Sequence, residues 1–213
     1  MGSVHSDEQG VGPAADDQVL TAHKILIAGG FGAGKTTLVG AISEVRPLLT
    51  EETLSAASVG RDNLAGLPDK KTTTVALDFG RITIGQHLVL YLFGVPGQER
   101  FWFMWDELAF GALGAVVLAD VRRLSDCFPS VNYFERLGLP FIVAVNCFDD
   151  APSYDSDEIR QALDLDPAVP LVLCDARDLA SVKEVLIALV ESIAAGQPGA
   201  GQVPGRPVAA LGR

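Results

Sequence analysis

The stretch Gly29-Gly30-Phe31-Gly32-Ala33-Gly34-Lys35-Thr36 constrains this chain more than any other part of it. It matches G-x-x-x-x-G-K-[ST] without interruption, follows a β-rich apolar run over residues 23–28, and leads into a helical pattern from Thr37. A strand, a glycine-rich loop and a helix in that order belong to an α/β sheet with crossover helices. Glycines let the backbone curl so that successive N–H groups converge on a polyphosphate, and the following helix adds its positive end. Gly29, Gly32, Ala33, Gly34 and Thr37 are therefore candidate nucleotide-binding residues. Lys35 adds a point charge near the β and γ phosphates, and the Thr36 hydroxyl is a candidate Mg²⁺ ligand. A nucleoside triphosphate is the implied ligand; a glycine-rich turn that binds nothing would not need the strand and helix on either side.

The rest of the chain fits that start. Strands are predicted over residues 23–28, 73–84, 88–93, 114–119, 141–146 and 171–174, and all but the second read as near-continuous apolar runs, as strands buried on both faces should. Helices are predicted over 35–45, 99–110, 124–136, 157–164 and 179–194. Gly85-Gln86, between two β-rich runs, predicts a hairpin that sets one antiparallel strand into an otherwise parallel sheet. Ligands of such a sheet gather at the carboxyl ends of its strands.

Residues 1–22 carry Asp7, Glu8, Asp16 and Asp17 and no Lys or Arg, which predicts a flexible acidic tail before a core over residues 23–195. Five glycines and three prolines among the 18 residues from Gly196 predict a second flexible tail over 196–213. With 16 basic against 27 acidic residues the net charge is −11, which makes nucleic acid and anionic membrane surfaces poor partners. No apolar run approaches the ~18 residues of a membrane span, so direct membrane insertion is not expected. Three scattered cysteines (Cys127, Cys147, Cys174) without metal-ligand spacing, and no secretory signal, suit a reducing cytoplasm. The N-myristoylation pattern at residues 1–6 reads as a simple terminus, and His5, His23 and His87 form no metal or triad arrangement.

The element order and four further segments resemble the Ras-like small GTPases, specifically the bacterial branch that includes the actinobacterial conservon GTPases and the gliding-motility GTPase MglA. The resemblance covers residues 23–195 and implies a P-loop NTPase with a Ras-like G domain, built on a mostly parallel six-stranded sheet flanked by helices. In the run from Thr72 to Gly80, Thr74 stands where the family's first switch places a threonine that senses Mg²⁺ and the γ phosphate. The run from Phe93 to Phe101 looks like the second switch, with Gly97 at the family glycine and Gln98 at its water-positioning glutamine, the implied catalytic residue. Asn146-Cys147-Phe148-Asp149 resembles N-K-x-D, which implies that Asp149 accepts from guanine N1–H and the 2-amino group. Asp175-Ala176-Arg177 resembles the S-A-K loop, whose Ala176 N–H would meet guanine O6.

Four departures accompany this resemblance. Gly94 replaces the aspartate that opens the second-switch motif, which implies weak metal binding. Cys147 replaces the base-stacking lysine, and Phe31 takes the phosphate-loop position where many members keep glycine to admit an arginine. The position before Thr74 is Thr73, with Lys70 and Lys71 earlier, so no arginine in cis is identified for the γ phosphate.

The implied function is a GTP/GDP switch with Mg²⁺ as cofactor and slow hydrolysis, whose partners are a roadblock-fold regulator and a sensor-kinase-like protein. Its expected location is the cytoplasm, with recruitment to a membrane complex through a partner. The alternatives are a nucleotide-binding scaffold that does not hydrolyse, and a P-loop ATPase or kinase. Helical spacing after Gln98 puts Phe101, Trp105 and Leu108 on one face and leaves Trp102 and Phe103 pointing elsewhere, either into a wide core or toward a partner.

Overall fold

Along the first strand, Ile25 and Ile27 point to one side of the sheet and Leu26 and Ala28 to the other, and all four are inaccessible to solvent. This two-residue alternation, repeated in neighbouring strands, builds one apolar layer on each face. The computed structural model describes residues 21–46, 77–98 and 101–196 in full, and the backbone of 48–54, 73–76 and 99–100. The expected N-terminal tail to residue 20, the positions of Lys70, Lys71 and Thr72, and the expected C-terminal tail from residue 197 lie outside the described residues.

The elements run β1 (Thr21–Gly29), α1 (Lys35–Ile42), β2 (Leu48–Leu54), β3 (Thr73–Ile84), β4 (Leu88–Gly94), α2 (Trp105–Ala109), β5 (Ala112–Ala119), α3 (Phe128–Leu137), β6 (Phe141–Asn146), α4 (Ser156–Ala162), β7 (Leu171–Cys174) and α5 (Leu179–Ala194). They form a seven-stranded sheet in the order β2-β3-β4-β1-β5-β6-β7. β3 runs antiparallel to both of its neighbours and every other pairing is parallel. The mostly parallel α/β sheet is thus as expected, with the β3–β4 hairpin closing through Gly85 at φ +62. One strand more is present than the sequence predicts. β2, Leu-Leu-Thr-Glu-Glu-Thr-Leu, has two adjacent glutamates and weak alternation, and it is a strand because its backbone pairs with β3 from Leu48↔Phe79 to Leu54↔Thr73. Thr21 and Ala22, expected in the tail, open β1 because their register with Leu88 and Val89 continues the ladder.

One layer packs α1 and α5 over Ile25, Leu90, Val116 and Ile142; the other packs the second-switch segment, α3 and α4 over Leu26, Val117, Val143 and Val145. Two predicted helices are broken. The stretch 99–110 is a 3-10 turn (Glu99–Met104) followed by α2, and the stretch from 124 opens as a 3-10 turn (Val121–Cys127) interrupted at Arg123 (φ −146, ψ 54) before α3 begins. α1 stops at Ile42, short of residue 45, because Ser43 and Glu44 are drawn onto the sheet: the Glu44 N–H donates to the Arg81 carbonyl (2.8 Å) and its carboxylate accepts from the Thr83 N–H and hydroxyl (both 2.8 Å). Among the described residues no helix is long and apolar enough to cross a membrane.

Candidate functional site

The loop after β1 has the shape its glycines allow. Gly29, Gly32 and Gly34 take φ values of +134, +77 and +106, which L side chains rarely adopt, and close approaches reinforce the need for glycine. A Cβ on Gly29 would lie 2.3 Å from the Leu118 carbonyl oxygen, and one on Gly34 would lie 2.5 Å from Nδ2 of Asn146. Ala33 is buried, and α1 starts at Lys35, so Thr36 and Thr37 form its first turn. Lys35 Nζ donates to the carbonyls of Gly29 (3.0 Å) and Gly30 (2.7 Å), holding the ammonium inside the loop. Burial lowers its pKa to about 8, against an opposing pull from Asp78.

Asp78 is the residue that the sequence reading missed. The Thr36 hydroxyl donates to its Oδ2 at 2.8 Å. Asp78 lies in β3 beside the end of β4, and a Cβ on Gly94 would fall 2.8 Å from its Cβ and its Oδ2. Asp78 thus presents a carboxylate beside the place that Gly94 leaves without one. A hydroxyl and a carboxylate are hard oxygen donors that suit Mg²⁺, an ion that takes one or two protein ligands and completes its shell with phosphates and water. Among the described residues no group of three His, Cys, Asp or Glu side chains forms a closed metal cage. Thr74 is not brought to this point: its backbone pairs with Thr53, four residues before Asp78, or about 13 Å along the strand. The structure thus brings Asp78 to Thr36, while the expected metal ligand Thr74 stands farther back along β3.

From β4 the chain passes under the loop. A Cβ on Gly97 would meet the Gly29 carbonyl oxygen at 2.5 Å and Lys35 Nζ at 3.2 Å, so Gly97 is required by close approach. Gln98 follows in extended backbone and caps the 3-10 turn, its carbonyl accepting from Phe101 N–H (2.9 Å). The outer side of the loop is held by the segment after β5. Arg123 Nη2 donates to the Phe31 carbonyl (2.8 Å), and Asp126 packs where a Cβ on Gly30 would be, at 2.5 Å. Arg123 lies 3.8 Å from Asp120 and 3.9 Å from Asp126, which restrain it. The Phe31 ring is 67% exposed.

At the carboxyl ends of β6 and β7, buried Asn146 ties two loops together, donating from Nδ2 to the Ala33 carbonyl (3.0 Å) and accepting at Oδ1 from the Ala176 N–H (3.0 Å). The Ala176 donor expected to face a base oxygen is therefore bonded within the protein. Asp149 projects into solvent and meets Arg177 in a bidentate ion pair, Nη1 to Oδ2 at 2.8 Å and Nη2 to Oδ1 at 2.9 Å. Arg177 also binds Asp175 and holds that carboxyl down at about 2, and it lowers Asp149 below the usual carboxylate range. Cys147 is exposed, whereas Cys174 is buried and its thiol is pushed up to about 12 by burial, as is the buried thiol of Cys127.

Known proteins with this fold include the G domain of the T. maritima FeoB iron transporter (20% identity, TM-score 0.54, 82% of this chain and 98% of that one). The G domain of FeoB from Methanococcus jannaschii is another (15% identity, TM-score 0.54, 82% and 99%). These likenesses show a G-domain fold. In sequence, the chain is 32% identical over 125 residues to Ras-related protein Rab-18-B of Danio rerio, covering 57% of this chain and about half (51%) of that protein. It is 25% identical over 138 residues to the uncharacterized protein MJ1339 of Methanocaldococcus jannaschii, covering 64% of this chain and 76% of that one. The family described as conserved hypothetical ATP binding protein matches residues 27–196, from the strand before the phosphate loop to the end of α5, and the chain belongs to that family.

Proposed function

We propose that the chain is a guanine-nucleotide switch that binds GTP and GDP with Mg²⁺, hydrolyses GTP slowly, and uses the nucleotide to order its switch segments for a partner protein. One observation carries the reading: buried Asn146, at the carboxyl end of β6, ties the phosphate loop at Ala33 to Ala176, and the Asp149 carboxylate follows three residues later at that same end of the sheet. A carboxylate offers two equivalent acceptors, which match the adjacent N1–H and 2-amino donors of guanine. Adenine presents the N1 lone pair and C2–H there, with its amino donor where guanine carries O6, and would set that lone pair against the negative charge.

Within this reading the loop N–H groups and Lys35 bind the phosphates, and Thr36 and Asp78 would hold the metal, which would supply neutralisation of the phosphate charge. Gln98, next to the glycine that touches the loop, orients the attacking water. Exposed Trp102 and Phe103 beside the second switch support a protein partner there, and the bacterial resemblance suggests a roadblock-fold regulator with a sensor-kinase-like protein. The reading places the protein in the cytoplasm, recruited to a membrane complex through that partner.

The test is the nucleotide released when freshly purified protein is denatured, followed by calorimetric titration of the emptied protein with GDP and with ADP. Recovered GDP or GTP and a clear preference for GDP are expected. Recovery of ADP or ATP with a preference for ADP would overturn the guanine assignment and leave an adenine-nucleotide P-loop protein.

A further inference from the structure

The Asp149–Arg177 pair has a chemical shape that matters. Guanine's N1–H and 2-amino group belong to a cyclic guanidine, and they meet a carboxylate through two parallel N–H donors. Arg177 presents the same pattern from within the chain, one donor from Nη1 and one from Nη2, on the two oxygens of Asp149 at 2.8 and 2.9 Å. We infer that Arg177 is an internal mimic of guanine: it occupies the base-reading carboxylate, and guanine binds only by displacing it. This inference rests on the guanine reading above.

The rest of the geometry explains how the cap is held and why it can open. The Nε and Nη2 donors bind Asp175 (2.9 and 2.8 Å), so four of the five guanidinium N–H groups are spent on two carboxylates. Asp175 is fixed in turn by accepting from the Arg177 backbone N–H at 2.9 Å. Arg177 therefore has an anchor, Asp175, that does not depend on Asp149, and it can swing off the reader without losing every partner. The side chains are 56% and 75% exposed, so water can solvate either group once they part. An exposed pair is weak, and a bidentate one shared between two carboxylates stands at the upper end of that range.

The consequence is a cost shared by every ligand that needs Asp149. Apparent affinity falls by the fraction of molecules in which the carboxylate is free. A base that does not use Asp149 is not taxed, so the cap narrows the preference for guanine over adenine rather than widening it. It also gives the carboxylate a replacement partner as guanine leaves, which favours release.

The test is Arg177→Met, which keeps an unbranched stem for packing and removes all five donors, studied as the full chain with GDP and ADP by calorimetry and by release of a fluorescent GDP analogue. Unchanged melting confirms folding; if Arg177→Met is unstable, Arg177→Gln is used with the same criteria. The expected result is GDP binding about three- to tenfold tighter, with slower release, ADP affinity unchanged, and no such gain when Asp149→Asn is already present. Raising salt from about 50 mM to about 500 mM should narrow the gap between Arg177→Met and the parent, since the exposed pair is screened. Unchanged or weaker GDP binding by folded Arg177→Met, or equal tightening in the Asp149→Asn background, would overturn the cap. If Asp149→Asn nevertheless relaxes the preference for GDP, the guanine reading survives that failure. If the parent binds no guanine nucleotide, both fall together.

Discussion

Asp78 and Gly94 share one place between two antiparallel strands: a side chain at 94 would come within 2.8 Å of the Asp78 carboxylate, which reaches Thr36 from β3. The absence of an aspartate at the head of the second switch is therefore matched by one on the neighbouring strand, and weak metal binding does not follow from Gly94 alone.

Asp78→Ala should weaken Mg²⁺-dependent GDP binding by about 10–100-fold while leaving metal-free binding little changed. The same change empties the space beside Gly94, so Gly94→Asp in the Asp78→Ala background should recover part of the loss, whereas Gly94→Asp alone should destabilise the protein by crowding two carboxylates. Titrations with and without a chelator separate these outcomes. Equal losses in both conditions would assign Asp78 to loop structure alone.

Lys35 titrates near 8 in the protein, below its ordinary 10.5, because burial disfavours the ammonium. Between these values the unfolded chain holds more protons than the folded one, so stability should rise with pH across about 8 to 10.5. Phosphate binding favours the ammonium and reverses the shift. At about pH 8.5, GDP binding should take up protons, read as a dependence of the calorimetric heat on the buffer's ionisation enthalpy. Lys35→Arg stays charged and should abolish that uptake; Lys35→Ala should nearly abolish binding without unfolding the chain.

Arg123 donates to the carbonyl of the peptide whose N–H belongs to Gly32, in a loop that works through its N–H groups. Its removal should speed GDP release about three- to tenfold with little effect on melting, because its side chain is half exposed. Arg123→Lys should recover part of the effect. Stopped-flow release of a fluorescent GDP analogue measures this.

The two tryptophans of the second-switch segment should respond differently. Trp105 is 4% exposed, donates Nε1–H to the Pro96 carbonyl (3.1 Å) and packs against Tyr133 and Phe134, so Trp105→Ala should cost about 3–5 kcal/mol. Trp102 is 37% exposed and leans on Trp105 at 5.6 Å, so Trp102→Ala should cost about 1 kcal/mol or less and act chiefly on a partner. Thermal melts of both variants decide between this and a shared core role.

Most of this was legible residue by residue. The phosphate loop could be read because its chemistry is contiguous, and the buried strands because apolar runs must be covered on both faces. The spacing after Gln98 also separated buried Phe101 and Trp105 from exposed Trp102 and Phe103. What could not be read depends on register. Asp78 serves Thr36 only because β3 runs antiparallel beside β4, and Arg123 reaches Phe31 across 92 positions only because a broken 3-10 turn aims it back at the loop. Likewise Ala176 and Arg177 are adjacent in sequence, yet one bonds to buried Asn146 and the other pairs with Asp149. β2 escaped notice because two glutamates obscured a strand that pairing alone sustains.

In the proposed reading, hydrolysis depends on how Gln98 is placed. Gly97 is pressed against the loop at Gly29 and Lys35, so the next residue begins beside the phosphate end of the site, and its carbonyl is already fixed by Phe101. An arginine supplied to the γ phosphate contributes on the order of 10³ to 10⁵ in rate. Here Arg123 is engaged with the Phe31 carbonyl, and the exposed Phe31 ring takes the phosphate-loop position that a glycine would leave open to an arginine. Intrinsic turnover should therefore be slow, and a partner that acts only by ordering Gln98 should stimulate it modestly. In single-turnover assays with GTP and Mg²⁺, Gln98→Leu should lower the residual rate by about tenfold or more without changing GTP affinity, since the loss falls on the transition state alone. Phe31→Gly should leave the intrinsic rate nearly unchanged and raise partner-stimulated hydrolysis where that partner carries an arginine. A fast intrinsic rate that ignores Gln98→Leu would remove Gln98 from the mechanism, and GTP binding with no turnover under any condition would make the chain a scaffold that reads nucleotide without consuming it.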